Sequence, residues 1–139
     1  RRSQTEPIRA STEVYIADTI GELGLIYRMA PLAILGGSYI AHGGQNPIEP
    51  AKLGVGVLHG PHVFNFTDVY AAFDAAGGAR QIDDPDRLGD AIAGMLTDQA
   101  ALETMHLAAR TTADGLGGAV AQTMTALAAL LERARERHA

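Results

Sequence analysis

The sequence predicts an α/β domain in which a parallel sheet lies between helices in three αβα layers. Two observations carry this. Short apolar runs alternate with stretches of helical periodicity, the pattern of βαβ units, and each run ends in a loop rich in Gly, Ser or Asp. A chain of 139 residues, 47% hydrophobic and 19% charged, is long enough for one such domain with its own core.

Taken in order, Val14-Tyr15-Ile16-Ala17 reads as a first buried strand, and Thr19-Ile20-Gly21-Glu22 opens a helix running to about Met29. The hydroxyl and carboxylate of that opening suit a helix N-terminus. Leu32-Ala33-Ile34-Leu35 is the next strand, ending in Gly36-Gly37-Ser38, and Val55-Gly56-Val57-Leu58 is the third, ending in His59-Gly60-Pro61. Between them Pro47 starts a helix that carries Glu49. Phe66 to Ala76 reads as a helix stopped by Gly77-Gly78, a C-cap signal, and Ala79-Arg80-Gln81-Ile82 as a short fourth strand. Asp86 to Leu96 and Gln99 to Ala113 are two helices separated near Thr97-Asp98. After Gly115-Leu116-Gly117-Gly118 a last amphipathic helix carries Leu127, Leu130 and Leu131 at helical spacing.

Composition excludes several functions. With 11 Lys+Arg against 16 Asp+Glu the net charge is -5, so there is no electrostatic footprint for nucleic acid and no polybasic surface for anionic lipid. Zero cysteines exclude disulfides and thiolate zinc sites and suit a reducing compartment. No apolar run reaches the ~18 residues of a membrane span. The polar start and the lack of an initiator Met suggest a piece of a longer protein. The chain itself is expected to be soluble.

The loops at the carboxyl ends of the strands form a common crevice in an open α/β sheet, and two glycine pairs, Gly36-Gly37 and Gly43-Gly44, project from that edge. Glycines adopt conformations closed to other residues and let backbone N–H groups approach an anion, while the following helix presents its positive end. Glu49, one turn inside that helix, could accept both hydroxyls of a ribose. The combination points to a phosphorylated sugar nucleotide. Each part also has a plain reading: Gly36-Gly37-Ser38 as a turn, Glu49 as a solvated carboxylate, Asp18 and Glu22 as helix-start acids. The chain has neither a P-loop nor GxGxxG nor a G-x-S-x-G elbow. His42, His59 and His62 do not complete a metal set, and Phe64, Phe66, Tyr70 and Phe73 read as core.

The ordered series Asp18-Thr19-Ile20-Gly21-Glu22-Leu23, Tyr27, Gly36-Gly37-Ser38, Gly43-Gly44-Gln45-Asn46-Pro47-Ile48-Glu49-Pro50-Ala51 and Gly60-Pro61-His62-Val63-Phe64-Asn65-Phe66 resembles the C-terminal domain of 3-deoxy-D-manno-octulosonic acid (Kdo) transferase, over about residues 12 to 135. The resemblance implies the C-terminal, Rossmann-like half of a GT-B glycosyltransferase. Residues 1–12 are then a linker or domain edge, 13–118 the sugar-nucleotide-binding domain, and 119–139 a C-terminal helix that packs partly on an N-terminal domain absent from this sequence. It further implies that the parent enzyme moves Kdo from CMP-Kdo to a lipid A precursor at the cytoplasmic face of the bacterial inner membrane, with no cofactor or metal and with its catalytic carboxylate in the N-terminal half. Carried over, Gly36, Gly37, Ser38, Gly43, Gly44 and Asn46 surround the CMP phosphate and Kdo carboxylate, Glu49 holds the ribose, and Thr19, Gly21 and Glu22 line the same crevice. Gln45 stands where many relatives have His; it hydrogen-bonds but cannot become a cation.

Two other readings stay open. One is the C-terminal domain of a UDP-sugar GT-B transferase or epimerase, which ligand preference would discriminate. The other is a non-catalytic α/β module that binds a partner, or a second copy as a homodimer, through the last helix.

Overall fold

The computed structural model describes residues 1–118, 123–128, 131 and 133. Its elements run α1 (Leu23–Met29), β1 (Leu32–Leu35), α2 (Ile48–Lys52), β2 (Gly56–His59), α3 (Thr67–Ala76), β3 (Ala79–Gln81), α4 (Leu88–Thr97) and α5 (Gln99–Gly115). The strands form one parallel sheet in the order β1-β2-β3, with Leu32 opposite Gly56 and Val57 opposite Ala79. Helices α2 and α3 are the crossovers between successive strands.

Side chains alternate across a strand, so β1 and β2 each feed two cores. Val57 joins Leu35, Ala51, Tyr70, Phe73 and Ala79 on one side of the sheet, while its neighbour Leu58 joins Leu32, Met95, Leu102 and Met105 on the other. The long helix α5 reaches both: Leu102 and Met105 pack into the second cluster, Ala109 and Ala113 into the first. Small residues at the latter positions let α5 come close to the sheet edge. A Cβ on Gly78 would lie 2.6 Å from Ala109 Cα.

Local signals account for the ends of the elements. Gly77 takes φ 77° after α3, and the Gly78 and Gly77 N–H groups return to Phe73 and Asp74 carbonyls at 2.9 and 3.1 Å, a Schellman closure that only glycine enters without strain. Asp98 caps α5 by accepting the Ala101 N–H at 3.0 Å.

One predicted strand does not form. Val14-Tyr15-Ile16-Ala17 lies off the sheet in irregular backbone, with Val14 and Ile16 exposed. Its backbone is engaged by the N-terminal turn instead, the Arg2 N–H donating to Ile16 C=O at 2.9 Å. A lone apolar run has no sheet to join unless a ladder partner competes for those groups. Phe64, read as core, is also exposed, because it sits at the turn that follows β2 and not on the inward face of α3. The predicted last helix falls largely outside the described residues, as does Leu130; residues 123–128 are helical, with Met124 and Leu127 exposed.

Replacing Gly78 by Ala drives a methyl into the α5 backbone and is expected to cost about 2–3 kcal/mol. Gly94→Ala in α4, where a Cβ meets nothing within 4 Å, is expected to stabilise by about 0.5–1 kcal/mol. Urea unfolding of both variants measures the two effects.

Candidate functional site

A crevice of about 470 Å³ opens between α1, β1 and the loop entering α2. Leu23, Ile26 and Tyr27 form one wall, the residues of β1 the floor, and Gln45, Asn46 and Glu49 the polar rim. Asn46 Oδ1 accepts the Ile48 N–H at 3.0 Å, which turns the chain into α2 and sets Glu49 in its first turn. Among the described residues the Glu49 carboxylate has no ion-pair partner. Burial, and then the nearby Glu49 charge, raise the pKa of Tyr27, so its phenol stays neutral beside the carboxylate. An apolar floor with an acceptor and amide groups on the rim suits a ring-bearing polar ligand.

The rim is held by a clamp between the loops that follow β1 and β2. Ser38 is fully buried, donates to Leu35 C=O and accepts the Gly60 N–H at 2.7 Å, while its own carbonyl accepts the His62 N–H at 2.9 Å. Further along, Gly43 C=O accepts the Asn65 N–H at 3.1 Å and His42 C=O accepts Asn65 Nδ2 at 3.1 Å. Gly43 and Gly44 have φ of 95° and 81°, and a Cβ on Gly43 would fall 2.3 Å from Asn65 Nδ2. Glycine is therefore required there twice over, by conformation and by the close approach of the second loop. Gly36 and Gly37 form a tight turn with Ser38, and Gly37 faces the Gln45 side chain. Helix α2 has only five residues, so its dipole is small.

Beneath the rim, Tyr70 donates its hydroxyl to Gln45 C=O at 2.8 Å. Burial pushes its pKa up to about 12, which keeps it a donor. His59, the last residue of β2, is fully buried, with Nε2 3.1 and 3.2 Å from the Asp74 carboxylate oxygens and Nδ1 2.8 Å from Gly60 C=O. Tyr70 is core, as its spacing predicts, and His59 belongs to β2 and not to the loop after it. A signal for their partnership was present: Tyr70 and Asp74 lie one turn apart on α3 and so share a face. No group of three or more His, Cys, Asp or Glu side chains that could hold a metal occurs among the described residues.

Thr19, Gly21 and Glu22 sit apart from this rim. The Arg2 guanidinium captures the Glu22 carboxylate at 2.5 Å, and Thr19 hydroxyl donates to the same carboxylate. Glu22 lines a second, largely apolar cavity of about 560 Å³ together with Arg2, Ile8, Tyr15 and Met29. Helix α1 thus separates the predicted residues: Gln45, Asn46 and Glu49 on one side, Glu22 on the other.

Known proteins with this pattern name the family. The chain is 31% identical over 134 residues to 3-deoxy-D-manno-octulosonic acid transferase of Haemophilus influenzae, covering 96% of this chain and 31% of that protein. To the enzyme of the same name from Bordetella pertussis it is 38% identical over 115 residues, covering 83% and 27%. In three dimensions it is similar to the C-terminal CMP-Kdo binding domain of WaaA from Acinetobacter baumannii, with a TM-score of 0.76 and 33% identity over 80% of this chain and 58% of that one. The chain belongs to the Kdo transferase family. No family model matches it. It corresponds to the C-terminal domain of a Kdo transferase and spans less than a third of the length of these curated relatives. The parallel α/β architecture is that of the Rossmann-like domain of a GT-B transferase.

In this Kdo transferase domain, hydrogen bonds from Arg2 and then Thr19 hold the Glu22 carboxyl at a pKa of about 2, against an ordinary 4.5. A folded value below the unfolded one means that the contact stabilises above about pH 4.5 and that this contribution is lost as the pH falls through about 2. The difference in thermal midpoint between the native chain and Glu22→Gln is therefore expected to be largest at neutral pH and to shrink on acidification. Calorimetry at a series of pH values checks it.

Proposed function

We propose that this chain is the donor-binding domain of a Kdo transferase, holding CMP-Kdo while the parent enzyme transfers Kdo to a lipid A precursor at the cytoplasmic face of the inner membrane. The carrying observation is the likeness, at 33% identity, to a structure named as a CMP-Kdo binding domain. The crevice supports it chemically. Glu49 is an unpaired carboxylate at the rim, suited to accept the ribose hydroxyls. Gln45 and Asn46 bring two side-chain amides to the mouth, where the phosphate and the Kdo carboxylate would be met, while the Gly36-Gly37-Ser38 turn and Gly43-Gly44, which do not line the crevice, hold the loop that carries them. Gln45 supplies neutral hydrogen bonds there.

Transfer requires CMP to leave with its negative charge stabilised, and ordered loop N–H groups do this without an added cation. Thr19 and Gly21 join the site when Glu22 is released from Arg2 or when the donor reaches past α1. The acceptor and the catalytic carboxylate belong to the rest of the parent protein, so the domain by itself binds donor and does not transfer it. Among the described residues no helix is long and apolar enough to cross a membrane.

Thermal unfolding with millimolar CMP, UMP and UDP in parallel tests the reading, since a ligand that binds only the native state raises the midpoint. CMP is expected to give the largest rise, and Glu49→Gln to weaken CMP binding by about 1–3 kcal/mol without moving the unliganded midpoint appreciably. A UDP preference would transfer the reading to a UDP-sugar transferase or epimerase. No shift with any nucleotide would favour the non-catalytic module.

A further inference from the structure

Tyr70 is the point at which the buried interior takes hold of the crevice rim. Its ring is 1% exposed and lies against His59, with centroids 4.3 Å apart and planes tilted by 49°. His59 is held in turn by Asp74, one turn further along α3. The ring cannot swing without breaking this packing, so the hydroxyl reaches Gln45 C=O from a fixed position.

The consequence lies on the other side of the peptide. No peptide bond of the described chain is cis, and in a trans peptide the carbonyl and the following N–H point to opposite sides. Drawing Gln45 C=O inward onto Tyr70 therefore turns the Asn46 N–H outward. No protein acceptor takes that N–H among the described residues, and Gln45 and Asn46 both line the crevice. Other elements also constrain the loop, through Asn65 and the two positive-φ glycines, but none of those contacts touches the Gln45–Asn46 peptide itself.

We infer that Tyr70 is a positioning residue of the donor site: its hydroxyl fixes the Gln45–Asn46 peptide so that the Asn46 N–H is presented to an anionic group of the nucleotide. The inference rests on the donor-binding reading and adds one donor and the residue that aims it. An N–H held in place before the ligand arrives loses no freedom on binding, and its bond to an anionic oxygen is of the stronger, charge-assisted kind. Tyr70→Phe keeps the ring and its contact with His59 and releases only the peptide.

Titration calorimetry of the native chain and Tyr70→Phe with CMP and with cytidine separates the outcomes. The variant is expected to bind CMP about tenfold more weakly and cytidine as the native chain does, because only the phosphate meets the N–H. Equal weakening toward both ligands, or no change toward CMP, overturns the positioning role and leaves Tyr70 a packing residue. In the native chain the Asn46 amide resonance is expected to move with CMP and not with cytidine; if CMP binds and that resonance stays still, the inference fails. Native chain that binds neither ligand defeats the donor-binding reading and this inference with it.

Discussion

Ser38, with no exposed surface at the carboxyl end of β1, accepts the Gly60 N–H from the loop after β2 and donates to Leu35 within its own strand. A buried hydroxyl with both functions satisfied is costly to remove, since either partner would be left unpaired in the interior. This link ties the two loops together. The His62 N–H on Ser38 C=O and the Asn65 contacts to His42 and Gly43 extend the same seam outward. The rim that carries Gln45, Asn46 and Glu49 is thus an extension of the sheet, not a separate flap.

The glycines belong to this seam in a way that differs from a simple phosphate cradle. Gly43 and Gly44 are buried and turned toward Val63, Phe64 and Asn65, so their missing side chains make room for protein as much as for ligand. Gly60 repeats the theme, since a Cβ there would lie 2.6 Å from Ser38 C=O. Close backbone approach at the carboxyl ends of β1 and β2 is the shared cause. Packed backbone to backbone, the two loops fix the segment that carries Gln45 and Asn46 at the crevice.

Helix α1 divides the surface into two crevices of different character. One carries Glu49 and the amides of Gln45 and Asn46 over an apolar floor. The other is walled by the N-terminal segment and closed by the Arg2–Glu22 pair. That pair is exposed enough for solvent to screen it, so it directs the path of residues near the N-terminus more than it stabilises the core. The Glu22 carboxylate is consequently engaged by both Thr19 and Arg2 and lines the second crevice, not the one that carries Glu49.

Much of this was legible in the residues. β1 coincides with the predicted Leu32-Ala33-Ile34-Leu35, β2 is displaced from its prediction by one residue, and α3 ends at Gly77 as its glycine pair announces, because apolar runs, capping residues and glycine stops act over a few neighbouring residues. The ordered motifs also sufficed to name the family. Contacts between distant residues were not legible. Val14-Tyr15-Ile16-Ala17 has a strand's composition but no ladder partner, Glu22 meets Arg2 from twenty positions away, and Tyr70 reaches Gln45 from twenty-five. Local propensity is written in adjacent residues, whereas pairing depends on which surfaces the packed chain brings within hydrogen-bond reach. That is why the sequence by itself determined the family and the elements from β1 onward, and only the tertiary structure decided that Val14-Tyr15-Ile16-Ala17 stays off the sheet, which polar groups face the crevice and which are spent holding it together.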